Sequence, residues 1–303
     1  MSDFKIHILG CGSAKPNLYH HPSCTVLNIR ESLYMIDCGE GAQLEMQRQR
    51  LKFNRLNHIF LTHLHGDHVF GLPGLLGSLS LMKRQGTVTV HTFREGIAIL
   101  RQMMDFFNQE MSYNLVFHEI KPESAVIYED KHIKVRTIAL NHRVPCVGYV
   151  FEEQPRRRHL DRAAADFHGV PVAMYRRIIA GEDFVKTDGI RVPNAALTRD
   201  PSPQASYAHI GDTAYVPAIA QEIGPVNVLY HESTYLKENI HDAAKRGHST
   251  AAQAAMMARG CGAGRLLLGH YSSRYKDDSL FLKEAQEIFP DTVAGNEGLC
   301  ISL

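Results

Sequence analysis

The sequence predicts an α/β (α+β) protein in which two packed β-sheets carry helices on their outer faces. Two observations lead there. Short apolar or alternating segments, bounded by Gly, Pro, Asn and Ser clusters, recur along the chain, and in each half helical segments follow them. A third observation sets the scale: 303 residues are enough to bury a sizeable core. At 44% hydrophobic and 21% charged residues the composition excludes disorder, fibre and coiled coil. With 33 Lys+Arg against 32 Asp+Glu, the net charge of +1 excludes a globally basic nucleic-acid binder, so any RNA contact must come from a local patch.

The elements follow in order. FKIHIL (4–9), TVLNI (25–29) and LYMID (33–37) read as strands, 40–51 as a helix, and HIFLTH (58–63) as an apolar strand leading into a helix near Asp67. TVTVH (87–91) is a strand, and GIAILRQMMDFF (96–107) repeats apolar residues at helical spacing. NLVFHEI, SAVIYE, HIKVRTIAL and VGYVFE give four more strands. The alternation resumes with SYAHIGD, a helix near 216–223, NVLYHE, an Ala-rich helix over 250–259, RLLLGH, a helix near 279–288, and LCISL.

Between them, residues 155–204 break the pattern with five prolines, the run Arg156-Arg157-Arg158, and nine basic against six acidic residues. Charge alone would fit a solvated surface insertion. A fifty-residue excursion inside a compact domain is nevertheless more often functional than idle. No stretch approaches the ~18 apolar residues of a membrane span, and the N-terminal residues lack a secretory pattern. The six cysteines show no C-x-x-C spacing and read as reduced thiols. The expectation is a cytoplasmic protein with no membrane contact.

Histidine is abundant, at 18 residues, and position decides its meaning. Thr62-His63-Leu64-His65-Gly66-Asp67-His68 places four metal-competent side chains within six positions at the end of an apolar strand, where a rigid element aims several ligands at one point. Imidazole and carboxylate without thiolate select zinc or a similar first-row ion. One ion needs three or four protein ligands, so further strand-end ligands imply a second. His142, Asp212 and His270 supply them, each at the end of its own strand.

This ordered set resembles the metallo-β-lactamase superfamily, and within it the ribonuclease Z family of tRNA 3′-processing endonucleases. The resemblance runs nearly end to end. It is carried by Leu9-Gly10-Cys11-Gly12-Ser13, Ile36-Asp37-Cys38-Gly39-Glu40-Gly41, the cluster at 63–68, Gly211-Asp212-Thr213, His231-Glu232-Ser233-Thr234, His248-Ser249-Thr250 and Gly269-His270-Tyr271-Ser272-Ser273-Arg274-Tyr275. It implies one metallo-β-lactamase-like domain over 1–303, an αββα sandwich of two mixed sheets packed face to face, with residues 155–204 as an inserted flexible arm that grips the tRNA.

It also implies two zinc ions per subunit. His63, His65 and His142 would hold one, Asp67, His68 and His270 the other, with Asp212 bridging. Asp67 would orient or deprotonate the attacking water and His248 would protonate the leaving 3′-oxygen. Glu232 would orient His248, with His231 beside it as the other possible partner. The substrate is expected to be precursor tRNA, and the assembly a homodimer in which one subunit's arm serves the other's site. Arg156, Arg157, Arg158, Arg176 and Arg177 of the arm, and Lys15 near the site, would contact phosphates without reading bases.

Two segments depart from the family pattern. Val172-Ala173-Met174-Tyr175 stands where the arm usually carries Gly-Pro, and Lys15-Pro16-Asn17-Leu18-Tyr19-His20-His21-Pro22 lacks the Arg/Lys-Arg-Asn pattern. Two other readings use the same residues. One is a dinuclear zinc phosphodiesterase, or another hydrolase of this fold, acting on a small substrate. The other is an RNA-binding protein with an inert metal site.

Overall fold

The computed structural model describes residues 4–108, 110–201 and 203–303. Chain order builds one sheet after the other. The first half contains β1 (Phe4–Gly10), β2 (Cys24–Ile29), β3 (Ser32–Ile36), α1 (Ala42–Arg48), β4 (Leu56–Phe60), α2 (Gly66–Val69), α3 (Leu72–Leu81), β5 (Thr87–Thr92), α4 (Arg94–Phe107) and β6 (Asn114–Glu119). Next come β7 (Val126–Glu129), β8 (Ile133–Ala139) and β9 (Val147–Glu153). The insertion carries β10 (His159–Leu160), α5 (Arg162–Phe167), α6 (Tyr175–Ile179), β11 (Phe184–Val185), β12 (Arg191–Val192), α7 (Asn194–Leu197) and β13 (Thr198–Arg199). The remainder is β14 (Ser206–Ile210), α8 (Ile219–Ile223), β15 (Val228–Glu232), α9 (Ile240–Arg246), α10 (Ala251–Cys261), β16 (Arg265–Gly269), α11 (Ser279–Gln286), β17 (Thr292–Ala294) and β18 (Cys300–Ser302).

Two seven-stranded mixed sheets result, ordered β18-β1-β2-β3-β4-β5-β6 and β17-β16-β15-β14-β9-β8-β7. In each, a parallel run (β3 to β6 and β14 to β17) carries the crossover helices. Strands covered on both faces read as near-continuous apolar runs, as in Leu266-Leu267-Leu268-Gly269, all buried. Phe60 of the first sheet meets Tyr149 and Phe151 of the second edge-on, with ring centroids 5.3 Å apart in both pairs. On the outer side, Leu72, Leu75, Leu76 and Leu79 of α3, with Leu100 and Met104 of α4, cover Met35, Ile59, Val88 and Val90.

The helix expected from Asp67 is broken into α2 and α3. Gly71 N–H turns aside to Cys38 O (2.9 Å), and a side chain at Gly71 would collide with the Gly39 carbonyl. Neither α9 nor the three-residue β17 was expected: the sequence Ile-His-Asp-Ala-Ala-Lys-Arg of α9 buries only Ala243, which leaves no apolar period to read.

Residues 130–133 and 152–204 form a second compact unit. Its own small core comprises Ala165, Val170, Ile178, Phe184, Val192 and Leu197. Asp161 caps α5 by accepting from Ala164 N (3.1 Å), and buried Asn194 donates to the Ile178 and Glu182 carbonyls (2.6 and 2.7 Å). All six cysteines are free thiols, and among the described residues no helix is long and apolar enough to cross a membrane.

Candidate active site

Strand ends bring the site together. β4 runs into His63, His65, Asp67 and His68; β8 leads to His142, β14 to Asp212, β15 to Glu232 and β16 to His270. Parallel strands place their carboxyl ends on one rim, so ligands distant in sequence converge there.

The tautomers follow from the hydrogen-bond network. His68 Nδ1–H donates to Asp37 Oδ2 (2.7 Å), and His63 Nδ1–H donates to Thr62 Oγ1 (3.0 Å), whose own hydroxyl donates to Asp37 Oδ2 (2.8 Å). His142 Nδ1–H donates to the Gly247 carbonyl (2.7 Å) and His270 Nδ1–H to Thr234 Oγ1 (2.9 Å). Four rings therefore turn Nε2 inward, as imidazoles held for a metal do.

The inward atoms form two groups. In one, His65 Nδ1 lies 2.9 Å from His63 Nε2 and 3.3 Å from His142 Nε2, with Asp212 Oδ2 3.6 and 3.8 Å from the latter two. In the other, His68 Nε2 and His270 Nε2 are 3.3 Å apart. Asp67 Oδ2 stands 3.7 and 3.6 Å from them, and Asp212 Oδ1 3.5 and 3.1 Å. Asp212 thus gives one oxygen to each group.

The donor chemistry fits divalent metal. Tetrahedral ligands bound at ~2.0–2.1 Å lie about 3.3 Å from one another, close to the spacings here. Imidazoles whose protons sit on the far nitrogen face each other lone pair to lone pair, an arrangement that a cation between them relieves. Asp212 Oδ1, fully buried, has no hydrogen-bond partner among the described residues.

The electrostatics agree. Burial pushes His63, His65 and His142 below the usual imidazole value, favouring the neutral ligand form. Burial also opposes charge on His68, but Asp37 and Asp212 outweigh it and push its pKa up to about 10; that proton is the one metal binding displaces. Burial opposes the ionised form of Asp67 too, yet the His270 and His68 rings facing it (3.6 and 3.7 Å) hold it well below the ordinary carboxylate range. Asp67 Oδ2 also accepts from Ala14 N (2.7 Å). Ala14, Asp37 and His270 all adopt positive φ (65°, 56° and 61°), so backbone strain gathers at this rim.

His248 overlooks both groups, its ring 5.2 Å from His142 and 5.5 Å from His270. Its Nδ1–H donates to Glu232 Oε1 (2.9 Å). Glu232 is fully buried and also accepts from Thr213 N, Thr234 N and Thr234 Oγ1 (3.0, 3.0 and 2.6 Å). Burial disfavours the His248 charge, but Glu232 and Asp212 more than compensate and push its pKa up to about 9. His231 turns the other way, its Nδ1–H held by the Glu232 carbonyl (2.7 Å), so of these two neighbours the contact to His248 is Glu232's.

The cleft over these groups encloses about 430 Å³ and includes Ser13, Phe70, Tyr235 and Ser272. The sequence reading did not select Arg143 or Arg246, which line it, nor the supporting Asp37, Thr62 and Thr234. Asp37 stood in a quoted motif, but its contact to His68, 31 residues away, has no local signal.

The phosphate-contact candidates divide. Arg156 pairs with Glu153 (2.7 Å), Arg177 with Glu182 (2.6 Å) and Arg158 with Asp200. Arg157, Arg176 and Lys15 are exposed and, among the described residues, have no carboxylate partner.

Residues 4–155 match the family model described as "Anti-Pycsar protein Apyc1", and residues 180–271 the beta-lactamase superfamily domain. The ribonuclease Z of Porphyromonas gingivalis is 48% identical over 305 residues, and that of Bacteroides fragilis 44% over 304, each alignment covering both chains completely. Among solved structures, human tRNase Z (short form) superposes with a TM-score of 0.71 at 23% identity, covering 98% of each chain. A long-form yeast RNase Z superposes with a TM-score of 0.69 at 17% identity, covering 99% of this chain and 42% of that one. Those superpositions give the metallo-β-lactamase fold. With the full-length identity to curated relatives, they carry one conclusion: the chain belongs to the ribonuclease Z family.

Proposed function

We propose that this chain is a zinc-dependent endoribonuclease that cuts the 3′ trailer from tRNA precursors, leaving a 3′-hydroxyl on the tRNA and a 5′-phosphate on the trailer. The observation that carries the reading is Asp212, with one oxygen in each of two ligand groups and the His248–Glu232 pair beside it, in a chain aligned end to end with ribonucleases Z. His63, His65 and His142 would hold one ion, and Asp67, His68 and His270 the other, sharing Asp212. Bound there, two zinc ions supply Lewis-acid stabilisation of phosphoryl charge and a water activated at neutral pH.

The chain's own residues do the rest. Asp67 accepts a hydrogen bond from the attacking water; its strongly acidic carboxyl suits orienting that water better than storing its proton. His248 keeps Nδ1–H on Glu232 and offers Nε2–H to the departing 3′-oxygen. With a pKa near 9 it is protonated at neutral pH, so the donor is in its active form and is lost as pH rises through that value. On the insertion, Arg157 and Arg176 are among the cations available to tRNA phosphates, while Arg156, Arg158 and Arg177 are partly neutralised by their carboxylate partners. Lys15, exposed one residue beyond the Asp67 contact of Ala14, serves the strand near the cut.

The enzyme works as a cytoplasmic homodimer. Six free thiols support the compartment. The exposed Leu81, Met82, Phe106 and Phe107 of the α3–α4 region support a partner surface.

The test is cleavage of a 3′-extended precursor tRNA with the cut site mapped, with and without chelator. His248→Ala should keep its zinc and lose about 10²- to 10⁴-fold in cleavage. Asp67→Ala should lose zinc and cleavage together. A His248→Ala protein that cuts at the wild-type rate removes the proton-donor assignment.

A further inference from the structure

Two basic side chains line the cleft without any assigned partner, Arg143 and Arg246. Arg143 follows His142 directly, and Arg246 ends α9, two residues before His248. Both are exposed, and among the described residues neither pairs with a carboxylate. On the insertion, by contrast, Arg158, Arg177, Arg191 and Arg199 all lie against Asp or Glu.

Gly247 brings the backbone of Arg143 beside the residue that follows Arg246. It adopts a left-handed conformation (φ 74°), and a Cβ there would stand 2.9 Å from His142 Nδ1 and 3.6 Å from both Cγ and the backbone nitrogen of Arg143. The left-handed φ and the His142 ring are what favour glycine there. Two unneutralised arginines, whose guanidinium forks suit bidentate phosphate contact, therefore leave neighbouring backbone positions on the wall that carries His248.

The position of His248 gives that wall a polarity. The proton donor must stand next to the leaving 3′-oxygen, so the nucleoside that retains this oxygen lies on its side of the cleft. That nucleoside's own 5′-phosphate is then the nearest anion beyond the scissile one. We propose that Arg143 and Arg246 form an anion subsite for this phosphate, the one immediately upstream of the cut, and so hold the mature end of the RNA strand in line. The proposal rests on the endoribonuclease reading above.

The test compares Arg143→Ala/Arg246→Ala, and the Lys/Lys double variant, with the wild type on precursor tRNA and on bis(p-nitrophenyl) phosphate, which has no upstream phosphate. The Ala pair should lose about 10- to 100-fold in kcat/KM on the precursor, mainly through KM, at unchanged zinc content. Its loss on the small diester should be smaller by an order of magnitude or more. The salt dependence of log kcat/KM should become shallower by about 0.7, the release expected for one neutralised phosphate of single-stranded RNA. The Lys pair should recover part of the loss.

A methylphosphonate at the upstream phosphate should weaken the wild type and leave the Ala pair unmoved. Equal losses on both substrates, or wild-type behaviour of the Ala pair on the precursor, overturns the subsite. Sensitivity that moves to the first trailer phosphate overturns its assignment to the upstream strand. A wild type that cuts the diester but no precursor overturns the endoribonuclease reading itself, and the subsite with it.

Discussion

Asp37 touches no inward-facing ligand atom of the site, yet it positions two of the rings. It accepts from His68 Nδ1 (2.7 Å), from Thr62 Oγ1 (2.8 Å) and from Thr62 N (2.8 Å), and Thr62 in turn holds His63. Asp37→Asn exchanges a charged acceptor for an amide and loosens both rings, so zinc affinity should fall about 10- to 100-fold. Competition against a chromophoric chelator measures this directly, and unchanged affinity would show that the rings need no such support. The candidate ligands were legible because His63, His65, Asp67 and His68 crowd into six positions. Asp37, Thr234, Arg143 and Arg246 were not, since each acquires its meaning from a neighbour brought in by tertiary folding.

At the scale of elements, the strands and most helices were legible from apolar periodicity, and the loop over residues 13–22 shows where such reading stops. The fold turns His20 of this loop inward. Its Nε2 faces Asp278 Oδ2 (3.0 Å) and its Nδ1 faces Glu297 Oε2 (2.9 Å), while Glu297 Oε1 accepts from His21 N (2.8 Å). Hydrogen bonds to Asp278 and Glu297 push its pKa up to about 10, against some opposition from burial. A folded pKa above the unfolded ~6.5 means that this clamp stabilises the protein fully below that pH and ceases to as pH rises through about 10. Denaturant midpoints from pH 6 to 10 should therefore decline less steeply for His20→Gln than for the wild type; parallel curves would rule out the clamp.

At the scale of the molecule, the two packed sheets were legible from alternation and length, while the insertion was legible as an interruption and, through the resemblance, as an arm, but not as a unit with its own core. Its short apolar segments look too weak for a core, yet Ala165, Ile178, Phe184 and Leu197 make one by closing together. The α3–α4 surface gave no signal either, because an exposed Phe reads like a buried one until the fold is known. Phe107 is 69% exposed and Leu81 85%. Phe107→Glu should convert the proposed dimer to monomers in sedimentation velocity while leaving zinc content unchanged, and a variant that still sediments as a dimer places the interface elsewhere. Gly247 has a consequence of another kind. Its carbonyl anchors His142, and its immediate neighbours are Arg246 and His248. A single side chain introduced there would disturb the proposed ion retention, strand grip and proton delivery together. One position thus couples three proposed tasks, and a change meant to alter one of them is better made on another wall of the cleft.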